Sequence, residues 1–156
     1  MFGVDKITKS EDITLVTINS LPSKASLIAD IFEQTAKKEI NIDMISQTTA
    51  QGSNISISFT LDGNDFGKMV EIIKTLKENY NNIKPIISSG NCKVSLFGEK
   101  MPEMSGVASR AISTVAKQDT DILMITTSEV DISFLIPDAQ KESVISALEQ
   151  EFKVTL

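Results

Sequence analysis

The sequence predicts an α+β chain of two βαββαβ units, each an antiparallel four-stranded sheet with its helices on one face. Three observations predict it. The alternating stretch Ile55–Leu61 is written again at Val130–Ile136, and Ile40–Ser46 is written again at Thr120–Thr126. Apolar residues between those stretches fall at helical spacing. Turn-forming polar clusters separate the two kinds of pattern.

Taken in order, Ile13–Ile18 is apolar on both faces (Ile13, Leu15, Val16, Ile18), as a buried central strand requires. Leu27, Ile28, Ile31, Phe32 and Thr35 then repeat at helical spacing. Ile40, Ile42 and Met44 alternate. Ile55, Ile57, Phe59 and Leu61 do so more strictly, against Asn54, Ser56, Ser58 and Thr60 on the other side. The intervening Ala50–Asn54 has hairpin composition, with Gly52 free to take a positive φ. A second helix carries Phe66, Met69, Val70, Ile73, Leu76 and Tyr80 as one stripe, with Asn64 or Asp65 as its N-cap. Residues 83–88 close the unit as a short edge strand marked by Pro85.

The second unit repeats this. Residues 93–98 give a strand through Val94 and Leu96, and Val107, Ala108, Ala111, Ile112 and Val115 give a helix. Strands follow at 120–126 and 130–136, joined by a hairpin about five residues shorter than in the first unit. A helix capped by Asp138 carries Val144, Ile145, Leu148 and Phe152, and residues 152–156 read as a last strand. One such unit alone has a marginal core and open strand edges, so pairing is expected, unit with unit or chain with chain.

Bulk composition narrows the function classes. Hydrophobic content of 41% and charged content of 23% describe a globular chain. The net charge of −6, with lysines and arginines scattered, argues against nucleic acid. Cys92 stands alone, which excludes an internal disulfide and fits a reducing cytoplasm. No run is long and apolar enough to span a membrane, and the N-terminus lacks the apolar core of a signal peptide. His is absent, and no phosphate-binding glycine loop, nucleophile elbow or C-x-x-C occurs. An enzyme on this topology would need an arginine-bearing phosphate cradle, but the one candidate, Arg110, falls mid-helix.

The positional signal lies where each leading strand runs into its helix, at residues 20–26 and 99–106. Amide groups opening a helix have no intrahelical partner and carry partial positive charge, which suits a carboxylate. Asn41 and Asp43 on the neighbouring strand of one unit, and Asp121 in the other, could receive an ammonium group. The competing reading is structural: Ser23, Ser26 and Ser105 cap helices, and Asp43 and Asp121 are merely solvated.

The stretches "INIDMISQ", "SISFTL" and "ILMITTSEVDISFLIP", with "ALEQEF" near the end, resemble the tandem ACT domains of aspartate kinase. The resemblance covers essentially the whole chain and implies two ferredoxin-like ACT units at 11–90 and 91–156. Residues 1–10 would be a leading strand from a kinase portion, able to pair with the second unit. It further implies an allosteric module that does no chemistry itself: a homodimer through its ACT domains, binding lysine and/or threonine as effector and serving a kinase domain or catalytic subunit. Neither nucleic acid nor membrane is an implied partner. ATP and Mg are expected only for the kinase portion, with no cofactor in this chain. Carried over residue by residue, the first site would use Pro22, Ser23, Lys24, Ala25 and Ser26 with Asn41, Ile42, Asp43 and Gln47. The second would use Met104, Ser105, Gly106, Val107 and Ala108 with Asp121, Ile122, Ser128 and Glu129. Where the family's first loop commonly reads Pro-Asp-Lys-Pro-Gly, this chain has Pro22-Ser23-Lys24-Ala25-Ser26. The second loop keeps Gly106 with Ser105 before it, and Asp121 replaces the usual Asn, which would favour a cationic ligand. The alternative is a structural dimerisation module that has lost effector binding.

Overall fold

The computed structural model describes residues 2–156. Its elements run β1 (Lys6–Pro22), α1 (Ala25–Lys37), β2 (Ile45–Gln47), β3 (Asn54–Asp62), α2 (Phe66–Asn79), β4 (Lys84–Phe97), α3 (Val107–Ala116), β5 (Met124–Thr127), β6 (Asp131–Pro137) and α4 (Lys141–Phe152). They form two units, Asp12–Ser89 (the first) and residues 2–11 with Gly90–Leu156 (the second).

In the first unit the strand order is β2-β3-β1-β4. Strand β3 pairs antiparallel with β1 through Val16↔Phe59 and Ile18↔Ile57. A register shift between Ile18 and Leu21 coincides with Ser20 at φ 57°, the local twist that a bulge introduces. The alternating set Ile55, Ile57, Phe59 and Leu61 is buried with Val16 and Ile18 against Leu27 and Ile31 of α1 and Met69, Ile72, Ile73 and Leu76 of α2. Phe32 meets Phe59 edge-to-face at 5.3 Å, an arrangement favoured by the ring quadrupoles.

The α2 stripe differs from the expected one. Met69, Ile73 and Leu76 are buried, joined by Ile72, while Phe66, Val70 and Tyr80 are exposed. At 100° per residue the buried arc centres between Met69 and Leu76, which turns Phe66 and Val70 off the core face. Tyr80 lies just past the helix end.

In the second unit the order is β1-β4-β6-β5. Strand β6 pairs antiparallel with β4 through Val94↔Phe134 and Leu96↔Ile132 and with β5 through Ile125↔Phe134. Cys92, Val94, Leu96, Ile132, Phe134 and Ile136 pack against Val107, Ala111 and Val115 of α3 and Val144, Leu148 and Phe152 of α4. The expected last strand at 152–156 is absent. Helix α4 continues through Phe152, which is 1% exposed and belongs to the core, and stops at Lys153 in the left-handed region (φ 57°). The unit's further strand is the N-terminal part of β1, next to β4. The expected strands at 83–88 and 93–98 are one strand, β4, continuous through Gly90 at φ 74°.

The helix caps also differ. Asp62, not Asn64 or Asp65, accepts from the Asn64 amide at the turn before α2. Asp138 receives the Lys141 ammonium at 3.2 Å instead of capping α4. The N-cap residues of α1 and α3 are Lys24 and Gly106, neither with a side-chain cap, so the serines Ser23, Ser26 and Ser105 do not fill that role.

Candidate functional site

The second unit builds its site from a long strand-to-helix connection, residues 98–106, and a short hairpin turn, residues 128–130. Gly98 leaves β4 where no side chain fits: a Cβ there would lie 1.8 Å from the Gly3 carbonyl oxygen. Its amide donates to the Val130 carbonyl at 2.9 Å, which ties the connection to the hairpin. A 3-10 turn at Met101–Glu103 follows, closed by the Met101 amide donating to Gly98 O and the Met104 amide donating to Met101 O. Gly106 then sits at φ 88°, a conformation open to glycine and costly for other residues.

From that glycine α3 begins with no side chain on its amide end, so its first N–H groups face outward with partial positive charge. In the hairpin the Ser128 amide donates to Asp131 O at 2.9 Å, and the Val130 amide donates to Ser128 Oγ at 3.3 Å. Glu129 is left exposed at the tip. Connection and hairpin enclose a pocket of about 230 Å³ lined by Met101, Met104, Gly106, Val107, Ala108, Thr127, Ser128, Glu129 and Ile132. The pocket thus has an amide-rich wall, two hydroxyls, a carboxylate and a floor of thioether and aliphatic carbon.

The structure brings Met104, Gly106, Val107, Ala108, Ser128 and Glu129 together there, while Ser105, Asp121 and Ile122 are not among the lining residues. Asp121 is exposed and Ile122 packs on the edge of the core. Three lining residues escaped the sequence reading. Met101 reads as an ordinary core residue, and Thr127 and Ile132 lie within the quoted stretch 122–137 but outside the residues carried over to the site.

The first unit places its expected residues differently. Its strand-to-helix connection is only Ser23 and Lys24, and its hairpin spans residues 48–53. The Ser23 amide donates to Ser53 O at 2.8 Å, and the amides of Leu27 and Ile28 donate to Lys24 O. That leaves Ala25 and Ser26 to open α1 with outward amides. Ser23, Lys24, Ala25, Ser26, Asn41, Asp43 and Gln47 are exposed, whereas Pro22 and Ile42 are half-buried. Pro22 pairs with Asn54 and Gln47 with Ile57, on opposite sides of β3, so about 10 Å of sheet separates the two groups. The hairpin side instead carries a polar cleft of about 320 Å³ lined by Asn19, Ser20, Thr48, Gln51, Asn54, Ile55 and Ser56. Ser56 Oγ donates to Asn19 Oδ1 at 2.7 Å across it. None of the nine residues expected for the first site lines that cleft. The bulge that turns Asn19 and Ser20 into it has no counterpart in the alternation pattern.

Each unit carries a surface ion pair that bridges its two helical segments, Lys38–Glu71 in the first and Arg110–Glu151 in the second. A hydrogen bond from Lys38 holds the Glu71 carboxyl below the usual range, and one from Arg110 does the same for Glu151. Burial pushes the Cys92 thiol up, so it stays protonated at neutral pH. Among the described residues no group of His, Cys, Asp and Glu is placed to hold a metal ion, and no helix is long and apolar enough to cross a membrane.

The sequence profile of the ACT domain matches residues 19–76 and 94–152. An aspartokinase of Bacillus sp. (strain MGA3) is 28% identical over 93% of this chain and 35% of its own length. The chain therefore spans about a third of the length of the curated relatives it matches. The crystal structure of the regulatory subunit of aspartate kinase from Thermus thermophilus, in its ligand-free form, superposes with a TM-score of 0.87 at 25% identity. It is covered over 99% of its length by 96% of this chain. A crystal structure of aspartokinase alpha and beta subunits gives a TM-score of 0.85 at 26% identity, with 97% and 99% covered.

Proposed function

The chain belongs to the ACT domain family and corresponds to the regulatory region of aspartate kinases; from that premise we propose that it senses an end-product amino acid, lysine and/or threonine. The observation that carries this reading is the pocket of the second unit, where outward amides, hydroxyls and one carboxylate surround an apolar floor. An amino acid presents the complementary set. Its α-carboxylate meets the amide end of α3, its α-ammonium meets Glu129, and its carbon chain rests on Met101, Met104, Val107 and Ile132.

Within this reading the side chain that fits best at that pocket is uncharged, as in threonine. The pocket's one carboxylate is used by the α-ammonium, and Asp121, which would favour lysine, is not among the lining residues. Effector binding shifts a homodimer formed through the ACT units between two arrangements. That shift changes the equilibrium of a kinase portion that phosphorylates aspartate in the cytoplasm, by an amount set by the effector's differential affinity. ATP and Mg belong to that kinase portion.

Titration calorimetry of the chain against each of the twenty amino acids, with mass measured by sedimentation alongside, tests the proposal. Saturable heat with threonine or lysine on a dimer supports it. A well-folded dimer that gives no heat with any amino acid identifies a structural dimerisation module instead.

A further inference from the structure

On the helical side of the second unit, Arg110 of α3 is held rigidly from several sides. Its Nε donates to Glu151 Oε1 and its Nη2 donates to the Glu151 carbonyl oxygen at 3.2 Å. Its guanidinium carbon lies 4.8 Å from the centre of the Phe2 ring and 5.4 Å from that of Phe152. Cation–π contact on two rings and a fork bonded to one residue fix the plane of the group.

Beside it opens a cleft of about 430 Å³ whose lining includes Lys117 and Lys153. The Arg110 hydrogen bond lowers the Glu151 pKa first, and the charges of Lys117 and Lys153 lower it further, so both ammonium groups lie within electrostatic reach of the same carboxylate. Both lysines are exposed, and neither forms an ion pair among the described residues. Three cations therefore face one carboxylate, on a chain whose net charge is −6.

We propose that this cleft is a binding site for a phosphate group, with Arg110 as the fixed donor and Lys117 and Lys153 as two mobile arms that close on it. The chemistry matches on two counts. A phosphate group carries about −1.5 to −2 charge near neutral pH, which balances the excess of two cations. Its oxygens accept from the guanidinium N–H groups that Glu151 leaves free and from ammonium groups at once. The competing explanation is that the lysines only offset the carbonyl ends of α3 and α4, next to which they stand.

The test is titration of the full chain with inorganic phosphate and, separately, with glycerol 3-phosphate, followed by phosphorus NMR and by melting temperature, with chloride at matched ionic strength as the reference. Saturable binding is expected, with a melting shift that chloride does not give. The Lys117→Ala/Lys153→Ala double variant, whose changes touch only exposed side chains, is expected to weaken it about tenfold or more per ammonium removed. Tighter binding of the ester than of inorganic phosphate assigns the site to a phosphorylated metabolite, and the reverse assigns it to free phosphate. Arg110→Lys keeps the charge and loses the fork, and is expected to weaken binding as well. Equal binding in the double variant, or a melting shift no larger than chloride's, overturns the proposal and leaves the lysines as counter-charges at the helix ends.

Discussion

The two units are built on one strand and helix pattern and differ in their connections. In the first, strand meets helix through Ser23 and Lys24 while the hairpin takes residues 48–53. In the second, residues 98–106 join strand to helix while the hairpin is only residues 128–130. The long connection supplies Met101 and Met104 as walls, and the short hairpin brings Ser128 and Glu129 to face them. In the first unit the length lies on the hairpin, and the recess forms there, against Asn19 and Ser20. The comparison teaches that the repeated core fixes where a site can form, and that the distribution of loop length decides which site does.

The strongest way to break the comparison is through the cores. Phe59 and Phe134 occupy matching positions in the repeat, and both are fully buried. Phe59→Ala and Phe134→Ala should each cost about 3–5 kcal/mol, read by urea denaturation. A cost near zero for either would show that its unit lacks the core described.

Next come the connections. Gly98→Ala should cost about 1–3 kcal/mol by driving a Cβ into the Gly3 carbonyl. Gly106→Ala should cost about 1–2 kcal/mol from backbone strain alone, since nothing lies within 4 Å of the added carbon. The corresponding first-unit residue, Lys24, has an extended backbone at φ −133°, so Lys24→Ala should be near neutral. Equal effects of Gly106→Ala and Lys24→Ala on melting temperature would erase the distinction between the two connections.

Smaller effects are expected at Glu39 and Asp119, which stand in the left-handed region after α1 and α3 at φ 57° and 52°. Replacing either by Gly should stabilise by about 0.5 kcal/mol, measured by chemical denaturation.

The smallest effects concern the exposed pairs Lys38–Glu71 and Arg110–Glu151. Both carboxyls have lowered pKa values in the folded chain. Their contribution is therefore present above the ordinary glutamate value of 4.5 and fades as pH falls through the lowered folded value. Glu71→Gln and Glu151→Gln should flatten the acid limb of the stability profile by lowering stability slightly at neutral pH while leaving it unchanged below the folded pKa. A steeper acid limb in either variant would contradict the pairing.

Much of this architecture was legible because alternation and helical spacing report burial directly. Ile55, Ile57, Phe59 and Leu61 were readable for that reason, and so was the repeat at Ile132, Phe134 and Ile136. The N-terminal part of β1 was not readable from pattern; the leading strand at 1–10 was expected only from the family resemblance. In residues 6–11 only Ile7 is buried, and that strand is held by backbone pairing with no side-chain pattern to read. The last expected strand failed because Phe152, Val154 and Leu156 alternate by chance, while Phe152 completes a helical stripe. At the site, residue type pointed only to the connection at 99–106, and Gly106, Ser128 and Glu129 came from the family resemblance. The close approach of Gly98 to Gly3 was not readable, because it joins positions far apart in sequence, and neither was the bulge at Ser20, which only tertiary pairing creates.

The most direct measurement is an amide chemical-shift map of the isotopically labelled chain during titration with threonine and, separately, lysine. The account predicts that saturation moves Gly106, Val107, Ala108 and Ser128, and that Glu129→Gln weakens the effect about tenfold or more. Shifts confined to Asp12–Ser89, or a map unchanged by Glu129→Gln, would contradict it.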